Sequence, residues 1–230
     1  MRYISFKNKI AFVVAVLFHF FGALGILFTD YRNWFISLTP LNIILMALLL
    51  IWTHPYRNNN FFLFLLIAFS TGMVTEIIGV QTGWLFGSYA YGTVLGTTFK
   101  GVPFIIGLNW FIVIYCSAAV IERLNQYFTK KASKNNVKIS PSLHAFSFVL
   151  DGALLATIFD FILEPTAVKL HFWSWLPNGD IPFFNYVCWF IISCFLLTVF
   201  RLLKLNTHNY FAVHLFIIQL LFFLLLRTFL

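Results

Sequence analysis

Apolar runs of about twenty residues alternate with short polar breaks along the whole chain. They fall at 11–28, 35–53, 61–80, 104–121, 143–163, 183–200 and 210–226. Each is close to the ~20 residues an α-helix needs to cross a bilayer's hydrocarbon core. The second run carries Pro40 and Asn42 and is the most interrupted. The pattern predicts an all-α, polytopic membrane bundle of about seven transmembrane helices. Neither a linker nor a low-complexity stretch divides the chain, so residues 1–230 read as a single integral membrane domain. No internal repeat supports an inverted-repeat transporter. The first run follows Arg2, Lys7 and Lys9 as a signal sequence would, but it is long and lacks a small-residue cleavage site, and it reads as a retained anchor.

Composition strengthens this picture. The chain is 61% hydrophobic, 20% aromatic and 10% charged, with a mean hydropathy of +0.90, against about 45–50% apolar for a soluble domain. The basic residues are lopsided. Arg2, Lys7, Lys9, Arg57, Arg123, Lys130, Lys131, Lys134, Lys138, Arg201 and Lys204 fall on one side of the expected bundle, and Arg32, Lys100, Lys169 and Arg227 on the other. The positive-inside rule puts the N-terminus in the cytoplasm and the C-terminus outside, in a bacterial-type inner (plasma) membrane. The run from Lys130 to Lys138 reads as a cytoplasmic loop against anionic lipid rather than a nucleic-acid site.

Several chemistries are disfavoured. Cys116, Cys188 and Cys194 all lie in apolar runs without zinc spacing and read as small core residues. The six histidines form no His boxes of the di-iron hydroxylase type. A Schiff-base lysine is missing from the last run, and no Gly-x-Gly-x-x-Gly fingerprint or phosphate loop occurs. No metal and no cofactor is expected.

The acids are the informative feature. Glu76, Asp151 and Asp160 lie inside apolar runs, Glu164 just past the end of one, and no lysine or arginine lies in any run. A buried acid that is neither paired nor facing water is costly, and its least costly state is the neutral carboxylic acid. At 1.5 Å per residue, Glu76 lies ~22 Å from the cytoplasmic start of its run, Asp160 ~25 Å and Glu164 ~31 Å. Asp160 and Glu164, four residues apart, share a helix face. Asp151 lies only ~12 Å along, on the face of His144, with which a bond is expected. Glu76, Asp160 and Glu164 are therefore expected to converge in the outer half of the bilayer, without Asp151. Pro165 is expected to stop the helix. The bland alternative is buried acids bonded to backbone or hydroxyls for packing alone.

The segment 81–101 is too irregular for a span and too apolar for an ordinary loop. Gly83, Gly87, Gly92, Gly96 and Gly101 alternate with Trp84, Phe86, Tyr89 and Tyr91. It reads as a lid or re-entrant segment over the outer end of the bundle, between the third and fourth spans, with a plain aromatic belt as the alternative. The cluster His171, Phe172, Trp173, Trp175 lies on the same side.

The run Gly72-x-x-x-Glu76-x-x-Gly79-x-x-Thr82-Gly83-x-x-Phe86-Gly87-x-Tyr89-x-Tyr91 resembles the signature of the membrane carotenoid 1,2-hydratases and of their relatives that hydrate bisanhydrobacterioruberin. The resemblance continues through Gly101-Val102-Pro103, Asn109-Trp110, Asp160-x-x-x-Glu164-Pro165, Phe172-Trp173-x-Trp175 and Ile181-Pro182-x-x-Asn185-x-x-x-Trp189, roughly residues 70–190. The first, second and last runs match only as apolar filler. The resemblance implies addition of water across the terminal 1,2 (1′,2′) double bond of a linear carotenoid of the lycopene or γ-carotene type. Its partners would be the carotenoid, the lipid bilayer and other carotenoid-pathway enzymes. The chemistry suits the acids: a neutral carboxyl protonates C2, aromatic faces stabilise the tertiary cation at C1, and a second carboxylate takes a proton from the attacking water. Asp160 is the expected acid, Glu76 the base and Glu164 a tuning group. Trp84, Tyr89, Tyr91, Trp110, Trp173 and Trp175 are expected to contact the polyene or cation, and Asn109 and Asn185 to hold water or a carboxyl. A small membrane lycopene cyclase and a proton-coupled transporter remain as alternatives.

The basic asymmetry makes a direct prediction. With single cysteines placed at Ser133 and Ser174, an impermeant thiol reagent added to intact cells should label position 174 and not 133. The reverse pattern would invert the topology.

Overall fold

The computed structural model describes residues 5–136, 140–205 and 208–230; Arg2 and Lys138, part of the basic asymmetry, lie outside the described residues. The chain forms helices α1 (Phe6–Phe28), α2 (Arg32–Ser37), α3 (Thr39–Thr53), α4 (Asn59–Thr82), α5 (Phe104–Lys134), α6 (Pro141–Lys169), α7 (Phe183–Leu202) and α8 (Tyr210–Phe229). Six of these are long and apolar enough to cross a membrane, and α3 is a shorter apolar helix. The architecture is an all-α polytopic membrane bundle. The run expected at 35–53 is divided into α2 and α3. Pro40 sits in the first turn of α3, where its missing N–H costs nothing, and so starts a new helix rather than continuing one.

Helix α5 is the centre. Residues 110–119 are buried without a break, and α3, α4, α6, α7 and α8 all touch it. A helix apolar on every face needs neighbours on every face, whereas α1, α4 and α6 turn Phe20, Leu66 and Ile158 outward. The segment expected as a loop after residue 121 is helix through Lys134. Gln126 Nε2 donates to Glu122 Oε1 one turn back (3.1 Å), and Lys131 and Lys134 in the last turn complement the helix dipole. At the same end a polar seam ties three helices together. The Tyr115 hydroxyl lies 2.5 Å from His54 Nδ1, and Asn209, which caps α8, donates to Thr53 Oγ1 at 3.1 Å.

Pro165 does not end its helix, contrary to expectation, and Glu164 lies inside α6. A proline at position i removes the hydrogen bond to the carbonyl at i−4. That carbonyl is Phe161 O, and Arg227 Nη1 of α8 donates to it at 2.9 Å. The arginine replaces the lost partner, so α6 runs one further turn. Arg227→Met should destabilise the protein by about 1 kcal/mol by stripping that acceptor. In a Pro165→Ala background, where a backbone N–H is restored, the same change should cost almost nothing. Melting in detergent checks this, and equal losses in the two backgrounds would sink the account.

Segments 83–103 and 170–182 cover one end of the bundle. Strands β1 (Tyr89–Tyr91) and β4 (Trp173–Trp175) pair antiparallel with Tyr89 opposite Trp175 and Tyr91 opposite Trp173. Strands β2 (Thr98–Phe99) and β3 (Val102–Pro103) form a short hairpin leading into α5. The Gly/aromatic segment is thus a cover, one strand of a two-stranded ribbon.

Candidate functional site

Glu76, Asp160 and Glu164 line one small cavity under the ribbon. All three are at most 5% exposed. No lysine, arginine or histidine lines the cavity, so every compensating group is a neutral hydrogen-bond donor.

Glu76 projects from α4 between two glycines. Trp110 of α5 packs flat against Gly72, where a Cβ would lie 2.6 Å from the indole ring. That close approach lets Trp110 Nε1–H donate to Glu76 Oε1 at 3.0 Å, one helical turn further on. At Gly79 a Cβ would lie 2.7 Å from the Tyr89 hydroxyl. Its absence admits the ribbon: Tyr89 and Tyr91 hydroxyls both donate to Glu76 Oε2, at 2.5 and 2.7 Å. Burial, and then the Glu76 carboxyl beside them, push both phenols well above their ordinary range, which keeps them as O–H donors.

The other strand serves Glu164. Trp173 and Trp175, two residues apart, point to the same side of the ribbon. Their indole N–H groups donate to Glu164 Oε2 at 2.9 and 3.1 Å. Asn185, in the first turn of α7 after Pro182, spans the remaining gap. Its Nδ2 donates to Asp160 Oδ2 at 2.8 Å and to Glu164 Oε1 at 3.4 Å. Glu76 and Glu164 thus each accept from three donor groups, Asp160 from one.

The structure brings Glu76, Asp160, Glu164, Tyr89, Tyr91, Asn109, Trp110, Trp173, Trp175 and Asn185 to the cavity wall. Trp84 lies elsewhere, 80% exposed on the surface past the end of α4. Asp151 is exposed on α6 and accepts from Ser147, while His144 faces Glu122 at 3.8 Å instead of the expected Asp151. Phe86, Phe159 and Trp189 also line the cavity but were not among the expected site residues. Trp189 stacks on Trp110 with ring centres 3.9 Å apart. It lies four residues after Asn185, on the same helix face, which is the signal that marks it in the sequence.

A second, larger cavity adjoins the first, sharing Ile106, Asn109, Leu163 and Trp173 as walls. Its other walls come largely from α1, α3 and α8, the helices that carry no motif. Phe18 and Phe21 line it while remaining about half exposed on the lipid-facing side of α1, so the groove reaches the bilayer.

No solved structure matches the chain. The bisanhydrobacterioruberin hydratase of Haloarcula japonica is 29% identical over 119 residues, which are 50% of this chain and 36% of that protein. The carotenoid biosynthesis protein family matches over residues 33–230, helices α2 to α8 and both ribbon strands, and the chain belongs to that family.

Proposed function

We propose that this protein is a cofactor-independent hydro-lyase that adds water across the terminal 1,2 (1′,2′) double bond of a linear carotenoid. The observation that carries the reading is the unequal distribution of donors among three carboxyls in a cavity that adjoins a largely apolar groove. A hydrogen bond to a charged group contributes about 1.5–3 kcal/mol, and burying an ion costs several. Three donors offset more of that cost for Glu76 and Glu164 than a single amide does for Asp160, and we assign the proton to Asp160.

The steps follow from that assignment. The polyene lies in the groove with its terminal double bond past Asn109 and Trp173. Asp160 gives its proton to C2, leaving a tertiary cation at C1 that the stacked Trp110–Trp189 pair and the ribbon aromatics face. A carboxylate has about four acceptor positions, and Glu76 uses three, leaving one for a water. That water's oxygen bonds C1, its proton passes to Glu76, and Glu76 returns a proton to Asp160 through the shared cavity. Glu164, bridged to Asp160 by Asn185, biases which carboxyl is protonated. The protein acts as one membrane domain, N-terminus in the cytoplasm and C-terminus outside, in contact with other carotenoid-pathway enzymes.

Expression in a lycopene-producing host tests the reaction: the pigment should gain the mass of one water per reacted end. A cyclase would leave the mass unchanged, and that result would replace the hydratase reading. Asp160→Asn and Glu76→Gln should each lower product at least 10²–10⁴-fold, the usual worth of general acid–base catalysis, at equal protein level in the membrane. Asp151→Asn should stay close to wild type; if it lost activity and Asp160→Asn did not, the site would lie elsewhere.

The glycine contact gives a sharper test. Gly79→Ala should displace the Tyr89 hydroxyl and lower activity by about tenfold, the value of one strong hydrogen bond. Tyr89→Phe should cost a similar amount, and the double variant little more than either alone. Additive losses would mean that Gly79 acts through something other than Tyr89.

A further inference from the structure

The end of the bundle opposite the ribbon carries a basic hollow that the proposed reaction does not use. Helix α7 stops at Leu202, while the α5–α6 pair runs on past it: Phe148, well inside α6, is level with Phe200 at the end of α7, their rings 5.8 Å apart. The step between them is a hollow. Its walls include Glu122 of α5, His144 and Phe148 of α6, Phe200 and Arg201 of α7, and Lys204 just beyond.

The hollow changes character with depth. The apolar runs of α5 and α7 end at residues 121 and 200, so Glu122 and Arg201 are the first charged residues past them. On the apolar side the floor is Phe148 and Phe200, each 2% exposed. On the polar side stand Lys204, which is exposed, and Arg201, whose guanidinium lies over the Phe148 ring at 5.4 Å. The hollow therefore straddles the level at which hydrocarbon gives way to headgroups. A phospholipid has the same order, acyl chains first and then a phosphate.

The cations are not spent within the protein. No carboxylate pairs with Arg201 or Lys204 among the described residues. Glu122 is the acid on the wall, and it faces His144 at 3.8 Å. Arg201 and Lys204 against Glu122 leave one formal positive charge. A headgroup whose only charge is its phosphate cancels it, whereas a zwitterionic headgroup brings a cation of its own. An adjoining hollow, lined by Lys130 and Lys134 of α5, shares His144 with the first and adds to the positive field. Arginine can hold two phosphate oxygens at once, and lysine adds a point charge beside it.

We infer that this hollow is a binding site for an anionic phospholipid of the phosphatidylglycerol class, its phosphate on Arg201 and Lys204 and the first carbons of its chains against Phe148 and Phe200. The site is separate from the acids and needs nothing from the hydratase reading. The bound lipid ties the end of α7 to the α5–α6 pair where their apolar packing stops.

The test equilibrates the whole chain in mild detergent with equal amounts of phosphatidylglycerol and phosphatidylcholine. Mass spectrometry of the intact protein reads the ratio of the two lipids retained. The wild type should favour phosphatidylglycerol at least fivefold. Arg201→Gln and Lys204→Gln should each lower the ratio about fivefold, the worth of one basic residue close to an anionic headgroup. Arg201→Lys, which keeps the charge, should keep the ratio. Lys131→Gln removes the same charge at the same end but outside both hollows, and should leave the ratio unchanged. An equal loss in Lys131→Gln would mean diffuse attraction to this end of the bundle, and a wild-type ratio near one would mean no headgroup selection; either overturns the site. General damage to the fold lowers both lipids together, so an unchanged ratio in Arg201→Gln and Lys204→Gln overturns it too. Excess inorganic phosphate should not displace the lipid; displacement would make a soluble anion the ligand and overturn the lipid assignment.

Discussion

Three carboxyl groups share one buried cavity with no cation at its wall, and most of what distinguishes this fold answers to that fact. In a bundle of apolar helices the acids can be held only by neutral donors, and the helix backbones have none to spare, because their N–H groups are already bonded along the helix. Side-chain donors must be brought in, most of them from outside the bundle. Tyrosine and tryptophan are suited to this, because each buries a large apolar ring and presents one O–H or N–H at its tip. Four of the six donors come from a two-stranded ribbon, one from the central helix and one, Asn185, from α7. Gly72 and Gly79 of α4 are what allow Trp110 and Tyr89 to come close enough.

The helical parts of this arrangement were legible in the sequence. Run lengths placed the helices, and the rise per residue put Glu76, Asp160 and Glu164 at similar depth with Asp151 apart. The breaks in that reading have local causes. Pro165 looked like a stop because a proline usually is one, and nothing near it in sequence shows that Arg227, 62 residues later, takes up the carbonyl it leaves bare. The basic segment after residue 121 looked like a loop because its charges end the apolar run, yet the same residues are good helix formers in water.

The ribbon was visible only as composition. Tyr-x-Tyr and Trp-x-Trp both carry the period of a strand, but three-residue strands lie too far apart in the chain for pairing to be read from one sequence, and only pairing turns two aromatic clusters into donors for two different acids. Trp84 belongs to the same composition and points away, so aromatic content alone did not select the site residues. The groove was less visible still. Helices α1, α3 and α8 read as filler because a hydrophobic substrate asks only for hydrophobic walls, and such walls look the same as those facing lipid.

The ribbon also couples the acids. Tyr89 lies opposite Trp175 and Tyr91 opposite Trp173, so each cross-strand pair sets a donor to Glu76 beside a donor to Glu164. A shift of one strand moves donors for both carboxyls at once, while Asp160, held by Asn185 from α7, is left where it was. In the proposed reaction the donors to the base and to the tuning carboxyl are therefore held by one piece of secondary structure.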